Sequence, residues 1–372
     1  MDETFEVIVS GHLCLDLIPS MAHVPLHELA TPSRLFEVGE LSLATGGAVS
    51  NTGQALHRLG INVRLMALVG DDLLGRVIIA ALKERDPRLS EMIAIQPGEV
   101  SSYTVVLTPQ NADRIFLHCT GTNRIFGQAH IDFSLLEKAR LFHLGYPPAL
   151  PRLTAHNGAE LEAVYRRAKE TGVVTSMDMS VPDPEGASGR LDWAAILRRT
   201  LPHVDIFVPS IDEILFMLRR QDFAAWRHDV LSHLRGDYLS ELAEEVIGLG
   251  AVIAGFKLGR CGLYLKTASP PAFARLSRLP LDVDTWADQQ AYAPAFKVNV
   301  AGTTGAGDAA YAGLLAALLW GKTPAETARW GCAVGACNVE AVDAVSGIRT
   351  APETQARLDA GWPTLETRIP GL

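Results

Sequence analysis

Cysteine in any useful arrangement is the first thing the 372-residue sequence lacks. The five present (Cys14, Cys119, Cys261, Cys332, Cys337) are scattered, odd in number and never in CxxC spacing, which suggests neither a disulfide framework nor a zinc site. Buried reduced thiols are expected. Positive charge is in deficit too: 33 Lys and Arg face 42 Asp and Glu, a formal net charge of −9, whereas nucleic-acid and membrane-surface binders need clustered cations. A small-molecule partner is favoured, with no nucleic acid and no membrane. No apolar run reaches the roughly 18 residues of a membrane span. The opening "MDETFEVIVSGHLCLD" is acidic where a signal peptide would be basic, so a cytoplasmic protein is expected. Internal repeats and low-complexity tracts are absent.

What is present is ordinary globular usage, 48% hydrophobic and 20% charged with 32 Gly and 21 Pro, with room for one large α/β domain or two smaller ones. Short β-branched runs, "FEVIVSG", "VRLMALVG", "ARLFHLG", "VVTSMD", "VDIFVP" and "AVIAGF", alternate with segments of helical apolar spacing. That rhythm predicts βαβ units and a mostly parallel sheet. One clear helix is predicted over residues 157–170, capped by Asn157, with Leu161, Val164, Tyr165 and Ala168 on its buried face. Two regions break the rhythm. They are residues 12–45 and residues 100–127, where "SSYTVVLTP" and "DRIFLHCTG" flank "QNAD" in the manner of a hairpin. Together they suggest a small β flap. Residues 268–296, with four prolines and weak periodicity, read as an excursion between two strands.

The stretch "GTTGAGDAAYAGLLAALLWG", residues 302–321, carries the strongest chemical signal. A predicted strand, "FKVNV", leads into the segment from Gly302 to Gly307, and a helix is expected from about Ala306. Glycines let backbone N–H groups approach an anion, and a helix N-terminus adds unsatisfied donors and the positive end of its dipole. The Lys-Ser/Thr of a Walker A loop and the GxGxxG pattern are both missing. Asp308, in the first helical turn, is either a dipole-compensating acid or the acceptor of a proton from an attacking hydroxyl during phosphoryl transfer. A second glycine cluster, "ATGGAVSNTGQALHRLG", sets Gly46 and Gly47 at a turn and Asn51 in the first turn of a helix, an arrangement suited to a polyhydroxy ligand. Asp16 lies just beyond the first strand, where ligands sit in open α/β sheets. A turn residue is the plainer reading of it.

Taken together, these segments resemble the PfkB, or ribokinase-like, family of carbohydrate and nucleoside kinases over nearly the whole chain. "GGAVSNTGQALHRLG" is similar to the family's N-terminal signature. "GTTGAGDAAYAG" is similar to its C-terminal signature, whose usual form begins Asp-Thr-Thr. The resemblance implies a single kinase domain over residues 1–372, a three-layer α/β/α sandwich with a small β lid from residues 12–45 and 100–127. ATP and Mg²⁺ are the implied cofactors. Asp308 then matches the general base, and the backbone of Gly305, Ala306 and Gly307 the anion hole. Asp16, Gly46, Gly47 and Asn51 match the sugar-binding side. "VPSIDEI" is similar to a Pro-Asn-x-x-Glu motif that organises the Mg²⁺ shell through water, with Glu213 kept and Ser210 where Asn is usual. Gly259 and Gly262 of "KLGRCG", Thr304, and Asp178 of "SMDMS" fall on the nucleotide side. Asn338 falls on the helix where the family packs adenine, although an amide ending a core helix reads as well.

The implied activity is ATP-dependent phosphorylation of a hydroxyl on a small sugar or sugar-like alcohol. A nucleoside kinase of the same fold is the alternative. The departures at Ser210 and Gly302 also leave open a catalytically idle sugar- or nucleotide-binding protein. A flap edge that pairs with its twin would give a homodimer through the lid.

Overall fold

Apolar runs flanked by glycine become strands wherever both faces can be covered. The computed structural model describes residues 5–21, 23–110, 114–226, 229–366 and 369–372. Its strands in chain order are β1 (Phe5–Gly11), β2 (Cys14–Pro19), β3 (Leu41–Gly46), β4 (Val63–Gly70), β5 (Ile93–Gln96), β6 (Tyr103–Leu107) and β7 (Ile115–Cys119). They continue as β8 (Ala139–Gly145), β9 (Val174–Asp178), β10 (Ile206–Phe207), β11 (Ile253–Lys257), β12 (Leu263–Thr267) and β13 (Gln290–Ala293). Nine of them form one sheet in the order β13-β12-β11-β10-β9-β8-β1-β4-β5. Only the pairings of β12 with β11 and with β13 are antiparallel, so the expected α/β class with a mostly parallel sheet is what forms. Successive side chains point to opposite faces. In β1, Val7 and Val9 join one core with the helices Ala48–Arg58 and Ala306–Leu319, while Ile8 joins a second core with Leu161, Val164 and Tyr165. These two cores make the three layers.

The four remaining strands form a smaller sheet in the order β3-β2-β6-β7. β2 and β3 come from residues 12–45 and β6 and β7 from 100–127, so both segments that break the rhythm meet here. β6 and β7 pair antiparallel as the hairpin pattern predicts. Residues 111–113 of the expected turn lie outside the described residues. Among the described residues, no helix is long and apolar enough to cross a membrane.

Three local expectations are corrected. Asn157 does not cap a helix: His156, Asn157 and Gly158 are consecutively left-handed, with φ of 53°, 52° and 72°, inside the segment Pro151–Glu170. The helical face that follows is nonetheless the one expected, with Leu161, Val164, Tyr165 and Ala168 buried. "FKVNV" is not a sheet strand. It makes a single bridge, Phe296 to Thr364, and its alternating Phe296, Val298 and Val300 line a cavity instead. Residues 268–296 do not merely lie between strands, because they contain the edge strand β13 and bury Phe273, Leu276 and Trp286.

Candidate active site

The carboxyl ends of adjacent parallel strands converge on the start of the helix Ala306–Leu319, the place where open α/β sheets bind ligands. Gly11 pairs with Gly145, and Gly145 with Asp178, across β1, β8 and β9. The approach is close: a Cβ on Gly11 would lie 2.3 Å from the Gly145 carbonyl oxygen. Tyr146, next in the chain, is left-handed with φ of 62°. A tyrosine held in that region carries strain, which the surroundings must impose.

Tyr146 is held through its hydroxyl, which donates to Asp308 Oδ2 at 2.8 Å. Asn51 Nδ2 donates to the same oxygen at 2.9 Å, and Thr52 Oγ1 to Oδ1 at 3.3 Å. Asp308 is 1% exposed. Burial raises its pKa, and Asn51, Lys257 and Tyr146 oppose that rise. Donors converging from another helix and from a strand end exceed what an acid that merely offsets a helix dipole requires.

Lys257 ends β11, and its Nζ lies 2.7 and 2.8 Å from the two oxygens of Asp178. Burial opposes the ammonium, but Asp178 and then Glu213 outweigh it and raise its pKa. Burial raises the Asp178 pKa, with Glu213 and Asp308 adding to the rise, and the Lys257 ammonium on both of its oxygens opposes it. Sequence reasoning missed both Lys257 and Tyr146. The only available signal for Lys257 was a cation closing the apolar strand "AVIAGFK".

Two cavities share Lys257, Gly259, Thr303, Ala306 and Gly307 as a common wall. The first, about 320 Å³, is apolar, with Gly262, Phe296, Val298, Val300 and Ala336 among its lining. The second, about 340 Å³, holds Tyr146, Asp212, Glu213 and Asp308. Gly305 begins the shared helix with φ of 72° and no side-chain cap, so the helix start is left without a side-chain acceptor.

The other predicted residues are placed as follows. Gly259 and Gly262 line the first cavity. Thr304 lines neither cavity, whereas its neighbour Thr303 lines both. Asp178 lies beneath the site, tied to Lys257 and to the Met179 amide. Asn338 is buried, and its Nδ2 donates to the Ala344 carbonyl; its neighbours Gly335, Ala336 and Val339 face the first cavity. Ser210 and Glu213 form a capping box on the helix Ile211–Leu218, which gives Ser210 a structural role. The freedom at Gly46 and Gly47 is used by the protein itself. A Cβ at Gly46 would meet the Asp16 carboxylate at 2.4 Å, and one at Gly47 would meet His12 Nδ1 at 2.4 Å. Asn51 Oδ1 is buried without a hydrogen-bond partner. From the small sheet, Arg114 Nη2 donates to Thr303 Oγ1 at 3.1 Å, a tie that the sequence did not suggest.

Among the described residues no three His, Cys, Asp or Glu side chains group as direct metal ligands. The carboxyls around the second cavity do outnumber its ammonium. That excess suits a divalent ion held mainly by phosphate oxygens and water, with one or two carboxylates in support.

A family model described as pfkB family carbohydrate kinase matches residues 5–351. A probable chloroplastic fructokinase-6 of Arabidopsis thaliana is 25% identical over 84% of this chain and 70% of its own length. The 2-dehydro-3-deoxygluconokinase of Bacillus subtilis is 25% identical over 88% of this chain and 90% of its own. Among solved structures, an E. coli putative ribokinase II in complex with ATP and Mg²⁺ superposes with a TM-score of 0.70 at 18% identity, covering 96% and 99% of the two chains.

Proposed function

The chain belongs to the pfkB family of carbohydrate kinases, and on that footing we propose that it transfers the terminal phosphoryl group of ATP to a hydroxyl of a small sugar or sugar-like alcohol. The observation that carries this reading is Asp308, a buried carboxylate raised in pKa at the mouth of an uncapped helix start shared by two cavities. A base of raised pKa, screened from water, accepts the acceptor hydroxyl's proton as the new O–P bond forms. Its Oδ2 already takes two hydrogen bonds, which leaves Oδ1, with the single 3.3 Å contact from Thr52, as the better placed acceptor. The backbone N–H groups at Gly305 and Gly307 would meet the charge that develops on the transferring group, joined by that of Ala306 once it leaves the Thr303 carbonyl to which it now donates at 3.3 Å. The apolar cavity between Gly262, Phe296 and Val298 suits the nucleotide base. Mg²⁺, when bound, would supply charge neutralisation, and Glu213 and Asp212 would hold it through water.

On the acceptor side, Asp16 and the unpartnered Oδ1 of Asn51 accept hydrogen bonds from hydroxyls. The small sheet acts as a lid over the acceptor within one kinase domain, and its outer face meets a second copy of the chain. The names of the relatives, fructokinase and 2-dehydro-3-deoxygluconokinase, agree with sugar-derived acceptors.

The test is a phosphorylation screen of sugars and nucleosides with ATP and Mg²⁺, reading ADP release and product mass. Turnover on a sugar supports the proposal, and turnover restricted to nucleosides replaces it with the alternative acceptor. ATP binding without any turnover identifies a binding protein.

A further inference from the structure

A separate cavity of about 390 Å³ opens where the ends of the helices Ala48–Arg58 and Leu73–Arg85 face the segment 343–348. It shares no lining residue with the two cavities of the active site. Gln54, His57 and Arg58 line it from the first helix, Arg85 from the second, and Val345 and Ser346 from the segment. Arg58 and Arg85 are exposed, and neither guanidinium donates a hydrogen bond to another described residue or forms an ion pair with one. A cation in the last turn of a helix offsets its dipole, and each arginine has that place. Dipoles do not explain why both open on one cavity without a counter-charge.

The carboxylates within electrostatic reach have partners of their own. Asp86, beside His57, is held by Arg88. Asp343, which Arg85 influences, accepts from the Val345 and Ser346 amides, and Glu353, which Arg58 influences, accepts from the Thr350 amide and hydroxyl. Two guanidiniums facing one cavity attract an anion, and their planar forks fit phosphate oxygens in pairs. Both walls of the cavity also lead to the active site. The first helix supplies Asn51 and Thr52 to Asp308 from its opening turns. The segment 343–348 packs on the anion hole, where a Cβ on Gly305 would stand 2.6 Å from that of Ala344, and Asn338 Nδ2 holds the Ala344 carbonyl at 2.6 Å.

We propose that this cavity binds the phosphate group of a small phosphorylated metabolite between Arg58 and Arg85, and that its occupancy raises the activity of the site at Asp308. A phosphate joining the two helix ends against Val345 steadies the helix that holds Asp308 and the segment that packs on Gly305, so the anion hole is better fixed when transfer begins. The effect on turnover rests on the kinase reading above; the binding does not. His57 reports on the cavity. Burial lowers its pKa, with Asp86 opposing and Arg88 and Arg58 reinforcing that fall, so an anion beside Arg58 moves it upward.

The test is calorimetry on the whole chain with a non-hydrolysable ATP analogue saturating the anion hole, so that phosphate groups are not read there. The probes are inorganic phosphate, glycerol 2-phosphate, a hexose 6-phosphate and, as an anion without phosphate, malonate. A phosphate probe should bind, the His57 imidazole should titrate at higher pH in its presence, and Arg58→Gln combined with Arg85→Gln should weaken binding at least about tenfold, the loss of one charge-assisted hydrogen bond. Equal affinity for inorganic phosphate and the esters supports a site that reads the phosphate group alone; tighter binding of an ester supports one that also fits the organic part. Binding of no phosphate probe, malonate bound as tightly, or undiminished affinity in the double variant overturns the site. With the acceptor and ATP saturating, the bound probe should raise the wild-type rate at least about fivefold, while the double variant keeps the basal rate and does not respond. Binding without any change in rate overturns the coupling. Absence of turnover on every acceptor counts against the kinase reading, and the calorimetry then judges the site by itself.

Discussion

Asp308 is bound by donors from three positions, and each contact has a separate consequence. Asp308→Asn keeps the shape but cannot accept a proton, so transfer should fall by about 10²–10⁴ while nucleotide affinity stays nearly unchanged in calorimetry. Turnover within a few-fold of wild type would reduce Asp308 to a helix-terminal acid. The Tyr146 hydroxyl stabilises the charged carboxylate and lowers its pKa, against the larger rise caused by burial. If Asp308 is the base it acts only when ionised, so the rate should fall with decreasing pH at a point above the ordinary carboxylate range. Tyr146→Phe removes a lowering influence and should move that acid limb further upward in a kcat–pH profile. Lys257→Met strips the ammonium from a buried carboxylate and should cost about 3–5 kcal/mol in denaturant unfolding, with much of the loss restored by the added change Asp178→Asn. Asp308 was legible because its glycines flank it in sequence. Tyr146, Lys257 and His12 were not, because strand ends far apart in sequence supply them and nothing local marks a strand-ending residue as part of a site.

At the scale of elements, legibility followed burial. Strands β1, β4, β8, β9, β10 and β11 were readable because both faces are covered and the apolar run is continuous. "FKVNV" shows the same alternation, but its apolar residues face a ligand-sized cavity, and sequence does not distinguish that surface from a neighbouring sheet. The turn at His156–Gly158 did carry a signal, the Asn157-Gly158 pair that favours left-handed backbone, but the helical apolar spacing after it outweighed that signal. The loop opening at Gly302 has a comparable origin. A Cβ there would stand 2.8 Å from the Val342 carbonyl oxygen and 2.9 Å from that of Ala341, so the segment Ala341–Val342 fills the space that the resembling family's Asp would need. A monovalent cation beside the anion hole would therefore have only carbonyls and the hydroxyls of Thr303 or Thr304 as partners. Turnover should require Mg²⁺ strictly and respond weakly or not at all to K⁺. Replacing K⁺ by tetramethylammonium at fixed Mg²⁺ checks this, and a steep fall in rate would refute it. Gly302→Asp should lower Tm rather than create K⁺ activation, because the added carbon meets two backbone oxygens.

Over the whole molecule, the small sheet has to satisfy two surfaces at once. Its inner face carries the row from Asp16 to His118, while the same register puts Leu43, Leu17, Val105 and Leu117 in a row on the other face, where Leu17 packs against the first core and Leu43 and Leu117 do not. Leu43 and Leu117 are 51% and 54% exposed, and Leu41, on the same side of β3, is 56% exposed. An apolar stripe along a four-stranded sheet with open edges at β3 and β7 is a poor surface to leave in water. A second copy of the chain would cover it with the same stripe, through a two-fold contact that closes on itself. Holding the sheet from outside would also steady the proposed acceptor side at Asp16, linking assembly to acceptor affinity. Sedimentation equilibrium at micromolar concentration should therefore report a homodimer. Leu117→Glu combined with Leu43→Glu, both solvent-facing in the single chain, should give a monomer of unchanged Tm whose KM for the acceptor rises while that for ATP does not. A wild-type chain that sediments as a monomer would refute the assembly, and a monomeric variant with unaltered acceptor KM would separate assembly from the site.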